Sequence, residues 1–486
     1  MQDIFKGFHR WYFFSFFGDF QSNLELEMEK FGPKLSPCTW KKPKRVVDGK
    51  GRISELPDEI LILVLSHMTM KEAAKTCLIS RRWQNLWTFH PCLEFDGSQA
   101  FLRFDNPNNR RKAKKIYVSE RSRYINWVNH MVHSRLSAAA AAIDEFKICF
   151  PVGESCKPDI DELVRFAFEK KVKRFELDLT DFTGWCYNMD GCYPLCLQTV
   201  SLTSFVPLKS LVLKQVNVSS QVLAYFISNS PFLECLCVGG STSLVHLRVV
   251  GPSLCLKYLK IIHCLCMESL EIDAANLLSF KYSGPKIKIP SMNVPNIVEL
   301  LIDGTCFKSL TRSMVEMSTA FTRLEKLAFR VIFVERWMNK CEYPMLSNLK
   351  QLELDLYASD DESLLFLSSL INACPSLNKL SLEFCWLEVH VKREMKKARK
   401  CPHHSLKVVK ITGFVGKTID TEFCMYLIEN AVMLEKITID ACRTINESML
   451  RANKDVEMVK AARECAEWLK SKYFLGDKLE FRSSDH

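Results

Sequence analysis

Residues 371–382 read INACPSLNKLSL, and residues 428–439 read IENAVMLEKITI. Both close a helix, pass through a short turn and enter an L-x-x-L-x-L run; residues 227–238, ISNSPFLECLCV, do the same. Alternating apolar residues of this kind lay one face of a strand against a core. The apolar triplet recurs at Leu208/Leu211/Leu213, Leu233/Leu236/Val238, Leu256/Leu259/Ile261, Ile297/Leu300/Ile302, Leu324/Leu327/Phe329, Leu349/Leu352/Leu354, Leu377/Leu380/Leu382, Leu406/Val409/Ile411 and Leu434/Ile437/Ile439. Weaker copies begin at Ile143 and Val172. From Ile297 the starts fall at 297, 324, 349, 377, 406 and 434, so successive separations are 27, 25, 28, 29 and 28. Each interval holds one strand and one helix. A unit of that size cannot cover its own apolar face, and stacked units share one continuous core.

The L-x-x-L-x-L run is the strand half of a leucine-rich repeat. The expected fold is therefore an α/β leucine-rich-repeat solenoid over residues 97–400, with parallel strands on the concave face and helices or loops outside. Between Leu244 and Tyr282 the strand signals LVHLRV, LKYLKI, MESLEI and LLSFKY start about 11 residues apart. That is too short for a strand and a helix, so compressed units with outer loops are expected there. Residues between the leucines, such as Glu325, Lys326, Lys350, Gln351, Asn378 and Lys379, are expected on the concave face. They name no target.

A different pattern precedes the repeats. In ELPDEILILVLSHM, Pro57 suits a helix's first turn and Asp58 and Glu59 complement its positive end. Ile60, Leu61, Val64, Leu65 and Met68 follow at helical spacing. Thr69 and Glu72 have the capping-box spacing of a second helix, and Ser80 opens a third carrying Trp83, Leu86 and Trp87. Three helices in so short a span cannot bury enough surface to stand alone. Leu61, Ile62 and Leu63 also spread apolar surface over more than one helix face. Such a cluster needs something to dock on.

The run ISELPDEILILVLSHMTMKEAAKTCLISRRWQNLW, with Leu56-Pro57, the Ile60/Leu61/Leu65 stripe and Ser80-Arg-Arg-Trp83…Trp87, resembles the F-box. That resemblance implies an F-box over residues 53–96, binding a Skp-type adaptor and through it a cullin. It implies adaptor contacts at Leu56, Pro57, Ile60, Leu61, Leu65 and Trp83. Residues 401–486 contain CPHHSLKVVKITGFVGKTIDTEFCMYLIENAVMLEKITID and VKAARECAEWLKSKY, and resemble the FBD region that ends plant F-box/leucine-rich-repeat proteins. The helix bearing Ala461, Cys465, Trp468 and Leu469 on one face is expected to seal the stack. Together these resemblances imply the substrate-recognition subunit of an SCF-type (cullin–RING) ubiquitin ligase, whose repeats bind a target protein. The alternative is a repeat-based interaction or small-molecule-sensing protein working outside a ligase.

Composition is that of an ordinary folded protein, and the resemblances imply a non-catalytic one. At 486 residues the chain exceeds one simple core, and 48% hydrophobic with 25% charged residues is ordinary for a folded protein. The net charge of +10 comes from two runs, residues 41–52 and 110–115, each contributing +5. Two isolated runs do not organise a nucleic-acid face. Residues 1–52 read as a basic leader, with Met28 as an alternative start and Lys41–Arg45 as a candidate nuclear-import run. Trp11–Phe17 is too short for a membrane span and lacks a cleavage site. The 21 cysteines are thus expected free, in the nucleus and/or cytoplasm. Neither the C-x-C pairs 235/237 and 264/266 nor Cys401 with His403 and His404 makes a zinc set, and no catalytic motif is present. No cofactor is expected.

Overall fold

The computed structural model describes residues 56–68, 72–73, 76, 82–86, 89–97, 110–136, 143–180, 191–200, 205–251, 254–304, 321–331, 343–358, 363–386, 394–396, 400–441 and 452–482. The expected leader over 1–52, its import run, and the helix signals at Thr69, Ser80 and Trp87 lie outside these residues. The chain forms two compact units, Met1–Asn217 and Val218–His486.

The first unit opens with helices α1 (Asp58–Ser66) and α2 (Trp83–Leu86). Strands β1 (Cys92–Asp96), β2 (Glu145–Cys149), β3 (Arg174–Asp178) and β4 (Ser210–Lys214) then pair in chain order, all parallel. Phe95 lies beside Ile148, Ile148 beside Leu177 and Leu177 beside Leu213, each buried. The weak signals at Ile143 and Val172 are the buried residues just before β2 and β3. Helices α3 (Arg110–Leu136) and α4 (Lys157–Glu169) form the outer layer. In α3, Tyr124, Val128 and Val132 recur at helical spacing and point inward. The Tyr124 hydroxyl donates to the Phe95 carbonyl at 2.6 Å, and its ring stacks on Phe150 with centroids 3.9 Å apart. The basic run at 110–115 is the start of this helix.

The second unit begins with α5 (Ser220–Asn229), N-capped by the Ser219 hydroxyl, which accepts the Val222 N–H. Its main sheet runs through β5 (Cys235–Gly239), β7 (Tyr258–Ile262), β9 (Ser279–Gly284), β11 (Glu299–Gly304), β12 (Lys326–Val331), β13 (Gln351–Ala358), β14 (Lys379–Trp386), β15 (Val408–Phe414), β16 (Lys436–Ala441) and β17 (Leu479–Arg482). Every pairing is parallel. The first leucine of each motif seats a turn: Leu324, Leu349 and Leu377 each donate an N–H to the carbonyl three residues back. The two later apolar residues of the motif then point to the core, as Leu352, Leu354, Leu380 and Leu382 do.

The crowded segment differs from expectation. Its signals divide between two sheets: β6 (His246–Val250), β8 (Ser269–Asp273) and β10 (Met292–Asn293) form a second parallel sheet, while β5, β7 and β9 stay in the main one. Main-sheet strands therefore start at 235, 258, 279 and 299, ordinary repeat lengths of 23, 21 and 20. The outer layer is an extended strand instead of a loop. Leu247, Val249, Leu270 and Ile272 turn inward from it and are buried. About 11 residues is half a coil of chain, so adjacent signals belong to opposite layers.

Later units regain outer helices, α6 (Leu367–Asn372), α7 (Thr418–Asn430) and α8 (Ala452–Lys472). The buried face of α8 is Ala462, Ala466 and Leu469; of the stripe expected, Leu469 is buried, Cys465 half-buried, and Ala461 and Trp468 exposed. Nor does α8 seal the array. One more strand, β17, follows and pairs with β16.

Candidate functional site

Helix α1 and the residues flanking it carry two apolar stripes. Leu61, Leu65 and Met68, at i, i+4 and i+7, face inward; Leu56, Ile60 and Leu63, with the same spacing, face solvent. Pro57 sits at the N-cap rather than inside the first turn, and its carbonyl accepts the N–H groups of Ile60 and Leu61 at 3.1 Å. Leu61 and Leu65 are 0% exposed and Trp83 1%, packed with Ala73 and Leu86. Leu56, Ile60 and Leu63 are 37%, 43% and 56% exposed, and Pro57 is exposed beside them. The six residues named for adaptor contact thus divide: Leu56, Pro57 and Ile60 are on the surface, while Leu61, Leu65 and Trp83 form the core behind them. Leu63 joins the surface group. Its signal was the apolar run at 60–65, which has more apolar positions than one buried stripe uses.

Two polar contacts hold α1 in place. The Arg82 guanidinium donates to Asp58 Oδ1 from Nε at 2.9 Å and Nη2 at 2.5 Å, joining the start of α1 to the start of α2. His90, buried ahead of β1, places Nε2 3.0 Å from the Met68 carbonyl oxygen. Burying a half-exposed Leu or Ile is worth about 1 kcal/mol, so covering the three apolar side chains yields on the order of 3 kcal/mol. The face has the chemistry of a docking surface for an apolar partner.

Other signals resolve into structure. His403 is buried; its Nδ1 accepts the Leu406 N–H at 3.1 Å and its Nε2 donates to the Cys374 carbonyl at 2.9 Å, so it braces a repeat turn. Burial pushes the Cys264 thiol up to about 11 and the Cys374 thiol up to about 12, which leaves both weak nucleophiles. Among the described residues no group of three His, Cys, Asp or Glu could hold a metal ion. No described helix is long and apolar enough to cross a membrane.

On the open face of the second unit's main sheet, charges pair across neighbouring strands. Lys326 lies 3.4 Å from both Glu299 and Glu353, and Arg330 lies 3.1 Å from Asp303 and 3.0 Å from Asp355. Lys350 meets Glu325 at 2.8 Å, and Gln351 donates to Glu353 at 2.6 Å. Asn378 and Lys379 are exposed. Lys281 stands beside Lys260 in the strand register; burial, with repulsion from Lys260, pushes its ammonium down to about 8.

Comparison with known proteins agrees with this architecture. The F-box domain profile matches residues 53–95. The profile described as At1g61320/AtMIF1, LRR domain, matches residues 191–472, more than half of the chain. The chain is 24% identical over 418 residues to the F-box/FBD/LRR-repeat protein At5g53840 of Arabidopsis thaliana, covering 80% of this chain and 87% of that one. It is also 24% identical to the F-box/FBD/LRR-repeat protein At1g13570 of the same plant, covering 80% and 91%. A third relative is the FBD-associated F-box protein At5g38590, 24% identical with 81% and 94% covered. The chain belongs to the At1g61320/AtMIF1 leucine-rich-repeat family, with an F-box domain ahead of its repeats.

Proposed function

We propose that this protein is a non-catalytic substrate receptor of an SCF-type ubiquitin ligase. Its F-box docks on a Skp-type adaptor, and so on a cullin, while the repeats hold a target protein. The observation that carries the reading is the solvent-facing stripe Leu56, Pro57, Ile60 and Leu63, on a helix whose opposite stripe is already used in the module's own core. Leu61, Leu65 and Trp83 act indirectly, by holding that stripe in register. Acceleration in such an assembly is positional: the receptor raises the effective concentration of target lysines near the conjugating enzyme. The expected place of action is the nucleus and/or cytoplasm.

Co-purification of the full chain with a Skp-type adaptor tests the reading. The intact chain is expected to bind, and a variant with Leu56, Pro57 and Ile60 changed to Ala is expected to lose binding. An intact chain that fails to bind overturns the ligase reading and leaves a repeat-based interaction or sensing protein.

A further inference from the structure

Strand β17 pairs with β16 from Ile437↔Leu479 to Asp440↔Arg482, and among the described residues no strand lies on its other side. Such an edge presents main-chain N–H and C=O groups to whatever comes next, and it is a place where another strand can add. Beside it runs a groove of about 400 Å³, walled by Arg463, Ala466, Glu467 and Lys470 of α8 and by Leu479 and Phe481 of the strand.

The edge strand reads Leu-Glu-Phe-Arg. Leu479 is buried and Phe481 half-buried beside α8, Glu480 borders the same groove, and Arg482 is exposed. Phe481 is half-buried, with the Arg463 guanidinium 5.2 Å from its ring centre. Glu480 accepts from Arg482 of its own strand at 2.8 and 3.1 Å and meets Lys436 of β16 at 2.7 Å. Acid and base therefore flank Phe481 symmetrically.

That symmetry selects the occupant. If a two-fold axis passes beside Phe481, an antiparallel copy sets Glu480 opposite Arg482 twice and Phe481 opposite Phe481. Opposite charges facing each other across a strand pair are stabilising, and a two-fold interface needs a surface that complements itself. We propose that the Leu479–Arg482 edge is a homodimerisation surface, to which a second copy of this chain adds its own Leu479–Arg482 strand antiparallel. The paired phenylalanines enter the groove beneath α8. A strand of unrelated sequence would lack the matching base and acid at these two positions. The dimer carries two docking helices and two repeat faces, so it binds a divalent target with avidity.

Sedimentation velocity over a concentration series of the full-length chain tests this, using wild type, Glu480→Arg, Arg482→Glu and the double exchange. Each single reversal sets like charges opposite each other and is expected to weaken self-association at least about tenfold, while the double exchange restores it to within about threefold. Thermal unfolding of the same samples establishes that the variants remain folded. A chain monomeric throughout, a dimer indifferent to both single reversals, or a double exchange as weak as the singles overturns the proposal.

Discussion

Gly416 meets helix α8 at Ala461: its φ is +71°, and a Cβ built on it would lie 2.8 Å from the Ala461 carbonyl oxygen and 3.0 Å from the Cys465 Cβ. Both obstacles belong to a packed helix, so neither can step aside cheaply. The backbone between β15 and α7 is thereby pressed against the outer layer of the next unit. Gly416→Ala combines left-handed strain with overpacking and is expected to lower stability by about 2–4 kcal/mol. Gly476 is the control, because its φ is +52° but nothing lies within 4 Å of the added Cβ. Gly476→Ala should cost only about 1 kcal/mol. Denaturant unfolding of both variants checks the difference, and equal losses would mean that the α8 contact carries no strain.

Asp420, in the first turn of α7, is wholly buried and takes three backbone N–H groups: Val415 at 2.8 Å and Gly416 at 3.0 Å on Oδ2, and Thr421 at 2.8 Å on Oδ1. Burial pushes its carboxyl up to about 7, against the downward pull of those donors. The native state thus holds the proton more tightly than the unfolded chain, where the group ionises near 3.8. Stability from this proton is complete below the unfolded value and is lost as pH rises through about 7. Melting temperature should therefore fall between about pH 4 and pH 7 more steeply in wild type than in Asp420→Asn. The Asn variant also loses acceptor capacity and should be about 1–3 kcal/mol less stable at the lower pH. Parallel pH slopes in the two proteins would remove Asp420 as the titrating group.

The F-box separates core from surface by one residue of helical phase, and the two classes should fail differently. Leu61→Ala or Trp83→Ala opens a cavity behind α1 and is expected to cost about 2–5 kcal/mol, with adaptor binding lost because the stripe loses its support. Ile60→Asp or Leu63→Asp changes exposed positions and should abolish binding while leaving unfolding of the module nearly unchanged. Hydrogen exchange over 58–66, read beside adaptor binding, distinguishes them. Fast exchange in the aspartate variants would refute the division.

These contrasts show where sequence reading succeeds and where it stops. Leu349, Leu352 and Leu354 announce a turn and a one-sided strand, and the structure has both. Period two says which side of a strand is apolar, but not which sheet holds the strand. His246–Val250 and Tyr258–Ile262 carry the same pattern, yet they lie in opposite layers of one coil. Helices pose the same problem of phase. Ala461/Cys465/Trp468 and Ala462/Ala466/Leu469 are both i, i+4, i+7 sets, and the second is buried. Its two alanines let α8 approach closely enough to meet Gly416 through its backbone. In α1, Ile60 and Leu61 are equally apolar neighbours, and it is Leu61 that packs with Ala73, Trp83 and Leu86.

Arg330 is the last test, because it is the shared counter-ion of two carboxylates. Its side chain is 18% exposed and reaches Asp303 Oδ2 at 3.1 Å and Asp355 Oδ2 at 3.0 Å. Asp303 Oδ2 also accepts the Ser283 hydroxyl at 2.9 Å, whereas its Oδ1 is buried with no partner among the described residues. Burial holds the Asp355 carboxyl above its usual range, with Arg330 pulling the other way. Removing the guanidinium leaves two acids side by side across the β11–β12–β13 ladder with no cation between them. Arg330→Met keeps the stem's apolar contacts and should cost about 3 kcal/mol near neutral pH, as expected when one partner of a largely buried ion pair is lost. Lowering the pH protonates the stranded Asp355 carboxylate, so the deficit should shrink toward about pH 4. Asp355→Asn in the same background should recover part of the loss by removing the repulsion. If the deficit is independent of pH and of Asp355, packing and not charge is what Arg330 supplies.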